Sequence, residues 1–179
     1  MRGLAGLETC RGCALAAGRQ RVVIGSGPER ARLIVVGEAP GASEDAGGEP
    51  FVGRSGQLLF GLLGEVGLTR EACYVTNVVK CRPPANRTPR AGEVRACSHW
   101  LDAQLEGLGP APLLGLGLVA ARRLFDTREG IASLRGRVLQ AGARRGIVSY
   151  HPAAALRGGS RVREALAEDL GVLATLVAP

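Results

Sequence analysis

Aromatic residues are scarce in this chain, since one tryptophan, two tyrosines and three phenylalanines make up only 3% of its 179 residues. Long apolar runs are missing as well: no window approaches the roughly 20 apolar residues of a membrane span, and no export signal opens the chain. We therefore expect a cytoplasmic protein with no membrane segment. Its five cysteines, an odd number without an export signal, also argue against a disulfide framework.

What remains is the composition of an ordinary globular chain. Hydrophobic residues make up 46% of it, and its length predicts one domain over residues 1–179. The net charge is +7 and the isoelectric point about 9.9. This balance favours a polyanionic partner, either nucleic acid or an anionic surface.

Continuous apolar runs alternate with segments of helical periodicity along the chain. Strands buried on both faces of a parallel sheet give such runs. The runs predict strands at residues 33–36, 73–79, 113–116 and 146–150, with a short one at 22–24. Periodicity and capping residues predict helices at 55–66, from Thr88 as N-cap to about 108, at 118–125 and from an N-cap near Ser160. This order predicts an α/β fold with a doubly wound, mostly parallel sheet.

Polar residues follow three of the predicted strands at their carboxyl ends, where doubly wound sheets bind ligands. They are Glu38, Asn77 and His151, and Phe51 lies on the loop after the first strand. A carboxylate, an amide, an imidazole and an aromatic ring would then share one crevice. Each residue alone also has a structural explanation, as a strand end, a surface side chain or a cap on the core. Their joint placement favours a functional site.

A proline-rich basic loop follows the second strand and carries Lys80, Arg82, Arg87 and Arg90. Such a cluster is usually a solvated face. Here it adjoins a strand end and two cysteines, which favours contacts with phosphate groups.

Two of the cysteines, Cys10 and Cys13, have the C-x-x-C spacing that lets two thiolates reach one metal centre. Cys81 and Cys97 flank the basic loop and the helix after it. Four such cysteines suit either zinc or an iron-sulfur cluster, and the spacing leaves both open. Cys73, at a strand start, is most simply a small buried hydrophobic residue.

Four motifs in order carry a resemblance that spans almost the whole chain: GEAPG with a downstream EPFVGRSGQLL, then YVTNVVKCRPPANRTP, then HPAA, after an N-terminal C-x-x-C. Together they resemble the prokaryotic iron-sulfur uracil-DNA glycosylases of family 4. The resemblance implies a three-layer α/β/α fold with a central, mostly parallel sheet. It also implies removal of uracil from single- or double-stranded DNA by a monomer, which leaves an abasic site without strand cleavage.

The same resemblance implies roles for individual residues. The motif glutamate matches Glu38, the uracil-stacking phenylalanine Phe51, the uracil-reading asparagine Asn77 and the late-motif histidine His151, and Asn86 matches a further substrate-binding position. Four cysteines match the ligands of a structural [4Fe-4S] cluster: Cys10, Cys13, Cys81 and Cys97. One departure is that Ala42 and Ser43 follow the second glycine of the first motif, where family members commonly place an acid.

Physical chemistry is consistent with these roles. A fixed amide at Asn77 can donate to O4 of uracil and accept from N3–H, a pattern that cytosine reverses. His151 can donate to the developing anion on the leaving base, and Glu38 can orient water or balance the cationic sugar. Backbone amides of Ala39 to Gly41 are further candidate donors to the substrate.

Two other functions stay open from the sequence. One is a nucleic-acid binding protein with a structural metal and no catalysis. The other is a glycosylase of the same fold that acts on another deaminated base, which the donor and acceptor pattern of Asn77 disfavours.

Overall fold

A five-stranded sheet forms the centre of the computed structural model, which describes residues 3–177. Its spatial order is β2-β1-β3-β5-β4, and neighbouring strands are parallel except for β4 and β5. The strands are β1 (Leu33–Gly37), β2 (Cys73–Asn77), β3 (Leu113–Leu116), β4 (Val138–Ala141) and β5 (Arg144–Ser149). The prediction of a mostly parallel sheet is confirmed.

Helices connect these strands. Within residues 3–177 the α-helices are α1 (Ala42–Gly47), α2 (Arg54–Glu65), α3 (Ala91–Gly107), α4 (Leu118–Phe125), α5 (Ile131–Leu134), α6 (Pro152–Gly158) and α7 (Ser160–Val177). Of the helices in this described range, none has the length and apolar character that crossing a bilayer requires.

Both faces of the sheet are covered because the central strands are apolar on both sides. Leu33 and Val35 of β1 pack with α2 and α7 on one face. Ile34 and Val36 pack with α3 and α4 on the other. The predicted three-layer α/β/α arrangement is therefore confirmed, and the polar strand ends are left at one edge of the sheet.

The start of α3 differs from the prediction, since Arg90 and not Thr88 is its N-cap residue. Glu93 accounts for the shift. Its carboxylate accepts a hydrogen bond from the Arg90 backbone N–H at 2.7 Å and forms an ion pair with Arg87 at 2.7 Å. Thr88 is thereby left outside the helix, where its side chain bonds to Glu38.

Two strand predictions are also corrected. Residues 22–24 form no strand: Val23 donates to the Lys80 carbonyl at 2.8 Å, and an isolated antiparallel bridge from Ser26 to Val75 follows the segment. β2 ends at Asn77, because the next two N–H groups, of Val78 and Val79, bond to the carbonyls of Gly37 and Glu38.

Four of the strands and α-helices named above were not predicted, namely α1, α5, β4 and α6. β4 pairs antiparallel with β5 at the sheet edge, and its side chains alternate between exposed and half-buried. α6 occupies the small-residue segment after His151, which is the N-cap of that helix. α7 begins at Ser160, within one position of the predicted cap.

We expect Glu93→Gln to lower the free energy of unfolding by roughly 1–3 kcal/mol, because it weakens a charge-assisted cap and a buried partner of Arg87. Arg87 chiefly lowers the pKa of Glu93 to about 2, from its ordinary 4.5. This contribution is therefore present above pH 4.5 and is lost as the pH falls through about 2. Urea unfolding at neutral pH measures the change. Glu106→Gln, an exposed acid on the same helix, is the matched control, and an equal loss in both variants would contradict the assignment.

Candidate active site

The carboxyl ends of β1, β2 and β5 open into one pocket of about 470 Å³. This volume lies in the range of small-molecule sites, about 300–1,000 Å³. The structure brings together the residues predicted to share a crevice, together with the loop residues predicted to bind substrate. They are Glu38, Asn77, His151, Phe51, Ala39, Gly41 and Asn86.

Gly37, the last residue of β1, creates the space on which the pocket depends. A Cβ atom at this position would lie 2.4 Å from Oδ1 of Asn77 and 2.6 Å from Cζ of Phe51. Real Cβ atoms do not approach other atoms so closely. The amide and the ring therefore meet over a bare backbone, and any side chain at position 37 would displace one of them.

The side-chain oxygen of Asn77 is buried and has no hydrogen-bond partner in the described structure. Buried polar atoms nearly always have a partner, because leaving one unmade costs roughly 1–3 kcal/mol. Asn77 lies on the wall of the pocket. Its free acceptor is thus suited to an N–H group of a ligand.

Phe51 is both a core residue and a pocket residue. Only 6% of it is exposed, and its ring stacks on that of His151 with centroids 5.8 Å apart. Its backbone has φ of +55°, a left-handed conformation that non-glycine residues rarely adopt. Arg70 holds this turn, because its guanidinium donates to the carbonyls of Pro50 at 2.6 Å and Phe51 at 3.2 Å.

The structure determines how His151 presents its proton. Nδ1 accepts a hydrogen bond from the Ala153 backbone N–H at 3.2 Å, so in the neutral ring the proton lies on Nε2. Burial, with a smaller contribution from the positive charge of Arg157, lowers the pKa of His151 to about 4 from its ordinary 6.5. At neutral pH the imidazole is therefore an uncharged donor.

Glu38 is half-buried at the mouth of the pocket. Burial raises the pKa of its carboxyl group above the ordinary 4.5, and a hydrogen bond with the Thr88 side chain partly offsets this. A carboxylate with a raised pKa in a cleft is a better proton acceptor than a solvated one.

Glu44 joins two loops of the pocket and was missed from the sequence. Its carboxylate accepts from the Gly41 N–H at 3.1 Å and from the Gly53 N–H at 2.9 Å. The spacing from Gly41 to Glu44, that of an N-cap residue and the acid three residues later, was the signal for it. Because Pro40 has no N–H and that of Gly41 is engaged, the predicted series of backbone donors reduces to Ala39.

The predicted phosphate contacts divide into two groups. Arg87 lines the pocket, Arg82 donates to Asn86 Oδ1 at 2.7 Å, and Arg90 is exposed. Lys80 is instead fully buried, so the prediction that it meets DNA phosphate is wrong.

Arg54 and Arg157 are exposed at the pocket rim and were missed. Nothing in the sequence distinguished them from the other arginines.

A second cavity is lined by all four of the predicted ligands, Cys10, Cys13, Cys81 and Cys97. Among the described residues, no three histidine, cysteine, aspartate or glutamate side chains converge closely enough for a single metal ion. The fifth cysteine, Cys73, is fully buried outside this cavity, and burial raises its pKa to about 11.

Hydrogen-bond donors surround the cysteine cavity. Arg19 donates to the Cys81 sulfur at 3.4 Å, and the Gly12 N–H donates to the Cys10 sulfur at 3.4 Å. Trp100 also lines the cavity, and its buried indole N–H has no partner in the described structure. These donors fit an electron-rich, sulfur-bound group between the four thiols.

The fold and pocket define a doubly wound α/β protein with a pocket at the carboxyl edge of its sheet, where such folds bind ligands. A family model described as the uracil DNA glycosylase superfamily matches residues 24–171. This chain therefore belongs to the uracil-DNA glycosylase superfamily, and the predicted resemblance to family 4 is confirmed by the relatives that follow.

Among the most similar relatives is the type-4 uracil-DNA glycosylase of Thermotoga maritima. It is 42% identical over 167 residues, which cover 92% of this chain and 87% of the relative. The type-4 enzyme of Archaeoglobus fulgidus is 42% identical over 84% of this chain and 79% of the relative. A type-5 uracil-DNA glycosylase of Thermus thermophilus is 34% identical over 73% and 68%.

We expect the imidazole of His151 to titrate near pH 4, well below its ordinary 6.5, because burial disfavours the charged ring. NMR titration of the ring protons in a His99→Gln background, which leaves one histidine, measures it directly. Arg157→Gln should raise the midpoint by removing a nearby positive charge. A midpoint at or above 6.5 would contradict the lowered pKa, and a midpoint well above 7 would exclude a neutral donor at pH 7.

Proposed function

We propose that this protein excises uracil from DNA by hydrolysing the N-glycosidic bond, which leaves an abasic site. The substrate is uracil-containing DNA, single- or double-stranded. The relatives named type-4 uracil-DNA glycosylase support this class of reaction. A single domain, a monomeric state and a cytoplasmic location stay predictions.

The observation that carries the proposal is the unpaired Oδ1 atom of Asn77 on the pocket wall. Uracil has an N3–H donor for this acceptor, whereas cytosine has an acceptor at N3 and would leave the amide oxygen unpaired. An unpaired buried group on the wrong base is a strong source of discrimination. Asn77 therefore selects uracil.

A base inside a duplex must leave the stack before it reaches such a pocket. Phe51 then provides the aromatic platform, and stacking of a base on such a ring contributes about 1–3 kcal/mol. Arg70 and the close approach over Gly37 hold the ring in place before the base arrives. Less ordering is then needed when the base binds.

Breaking the bond builds negative charge on uracil and positive charge on the sugar. The Nε2–H of neutral His151 donates to the O2 region of the leaving base, a contribution of the kind whose loss costs about 10²–10³ in rate. The ionised carboxylate of Glu38 orients the attacking water and balances the sugar charge. Ala39 supplies a backbone donor on the same loop, and Asn86 contacts the substrate from the facing loop.

Arginines around the pocket rim bind the phosphates on either side of the extruded nucleotide. Arg54 and Arg157 are exposed there. Arg87, on the basic loop, lines the pocket and is held in position by its ion pair with Glu93. Arg82 and Arg90 extend the contacts along the strand. Because each arginine neutralises phosphate charge, the affinity for DNA falls with rising salt.

We infer that Cys10, Cys13, Cys81 and Cys97 hold a [4Fe-4S] cluster. The cavity that these four residues line and the unpartnered N–H of Trp100 support it. When bound, the cluster has a structural role, because it crosslinks the N-terminal segment to the basic loop and α3. The loop that carries the phosphate-binding arginines is thereby braced.

Asn77→Ala should lower uracil excision by about 10²–10³-fold, because two buried hydrogen bonds to the base are lost. The measurement is alkali-dependent cleavage of a labelled oligonucleotide with one uracil. Gln140→Ala, which removes an exposed amide on β4, is the matched control. If the wild-type protein binds the oligonucleotide without releasing uracil, the protein is a binding protein or acts on another base.

Glu38→Gln should remove the acid limb of the pH profile of kcat/KM and reduce the rate by about 10²–10⁴-fold. Because the pKa of Glu38 is raised, this limb in the wild-type protein lies above pH 4.5. Activity requires the ionised form of Glu38, so it falls as the pH drops through this raised pKa. His151→Gln should be slower yet keep the limb, and a limb that persists in Glu38→Gln would reject this role.

Cys81→Ala should abolish the broad visible absorbance and the bound iron and sulfide of anaerobically purified protein, and should weaken DNA binding or folding. Cys73→Ala, which removes a buried thiol outside the cavity, should keep the iron. Full iron content in the Cys81 variant would disprove its ligand role.

A further inference from the structure

Lys80 is the only lysine of the chain, and it is fully buried. Its Nζ atom donates to Asn77 O at 2.6 Å, Thr76 Oγ1 at 2.8 Å and Gln104 Oε1 at 2.5 Å. All three acceptors are neutral oxygen atoms. A buried ammonium is strongly unfavourable unless a negative charge compensates it, so these bonds satisfy its protons without balancing its charge.

The compensating charge has an obvious source next to Lys80. The residue lines the cysteine cavity, and it is close enough to Cys97 for their charges to interact. A [4Fe-4S] core with four thiolates has a net charge of about −2. Lys80 and Arg19, the two cations that line this cavity, match that charge.

The same ammonium group also contacts the backbone of a pocket residue. The bond from Nζ to the Asn77 carbonyl fixes the backbone of the residue whose amide reads the base. Gln104, on α3, anchors the ammonium, and it also donates to the Ile24 carbonyl at 2.6 Å and to the Tyr74 hydroxyl at 2.9 Å. Lys80 therefore links the cysteine cavity, α3 and the end of β2.

We propose that Lys80 is a positioning residue that couples the cysteine-bound group to base reading: the group balances the buried ammonium, and the ammonium fixes Asn77. This inference rests on the proposed function for its second half and on the cysteine site for its first. Loss of the group removes the negative charge that offsets the buried ammonium beside Asn77. The apoprotein is then destabilised at the base pocket as well as at the cysteines.

A thermodynamic cycle on the full-length protein tests the first half without any activity. The melting temperature is measured before and after iron is removed by oxidation and chelation, in wild type and in Lys80→Met. We expect iron removal to lower the melting temperature by several degrees more in wild type, because only wild type then loses the attraction between the group and the buried ammonium. Equal losses would overturn the charge coupling.

Kinetics test the second half. Lys80→Met should lower kcat/KM for uracil excision at least tenfold, and should cost little more in an Asn77→Ala background, because both changes act through one residue. Arg19→Met removes the other cation of the cavity, which donates to the Cys81 sulfur, and its effect should add to that of Asn77→Ala. Additive effects for Lys80→Met as well would overturn the positioning role.

Lys80→Gln separates the charge coupling from the positioning of Asn77. It also replaces Lys80→Met if that variant does not fold. It keeps a donor for the Asn77 carbonyl but has no charge. We expect iron removal to lower its melting temperature no more than that of Lys80→Met. We also expect it to retain more excision activity than Lys80→Met. If wild type excises no uracil, the proposed function fails, whereas the melting cycle still decides the charge coupling.

Discussion

The close approach over Gly37 is the constraint on which the pocket depends. The Phe51 ring and the Asn77 amide occupy the space that a side chain at the end of β1 would fill. That contact sets the distance between the ring that we propose as a platform for the base and the amide that we propose reads its edge. The strained turn at Phe51 and the hydrogen bonds from Arg70 hold the ring there. Packing of the ring in the core offsets the unfavourable free energy of this backbone conformation.

Electrostatics then give Glu38 and His151, two polar residues of the pocket, different tasks. Burial raises the pKa of Glu38, which makes its carboxylate a better proton acceptor, and lowers the pKa of His151 to about 4, which leaves its imidazole a neutral donor at pH 7. Environments of this kind separate acid and base roles in many active sites. His151 is the N-cap residue of α6, and its Nδ1 atom accepts a hydrogen bond from the helix backbone. This bond fixes the position of the imidazole and also its tautomer, with the proton on Nε2.

The sequence predicted the residues that follow buried strands, and it failed where side chains met across the fold. Glu38, Asn77 and His151 could be found because apolar runs mark the strands and ligands bind at their carboxyl ends. Lys80 looked like part of a basic loop, and only the packing of α3 on β2 buries it. The α3 start was misplaced because the Glu93 bonds to Arg90 and Arg87 decide it. β4 was missed because a short edge strand leaves too few buried residues for a pattern.

The segment from Asn77 to Cys81 explains why a cysteine site and a base pocket occur in one small domain. The chain leaves β2 at the base reader, turns inward at Lys80, and reaches a predicted ligand one residue later. Five residues thus span both sites. On our proposal, a structural group at the cysteines would not need to approach the DNA to affect base selection, because it would act on the backbone that presents the Asn77 amide.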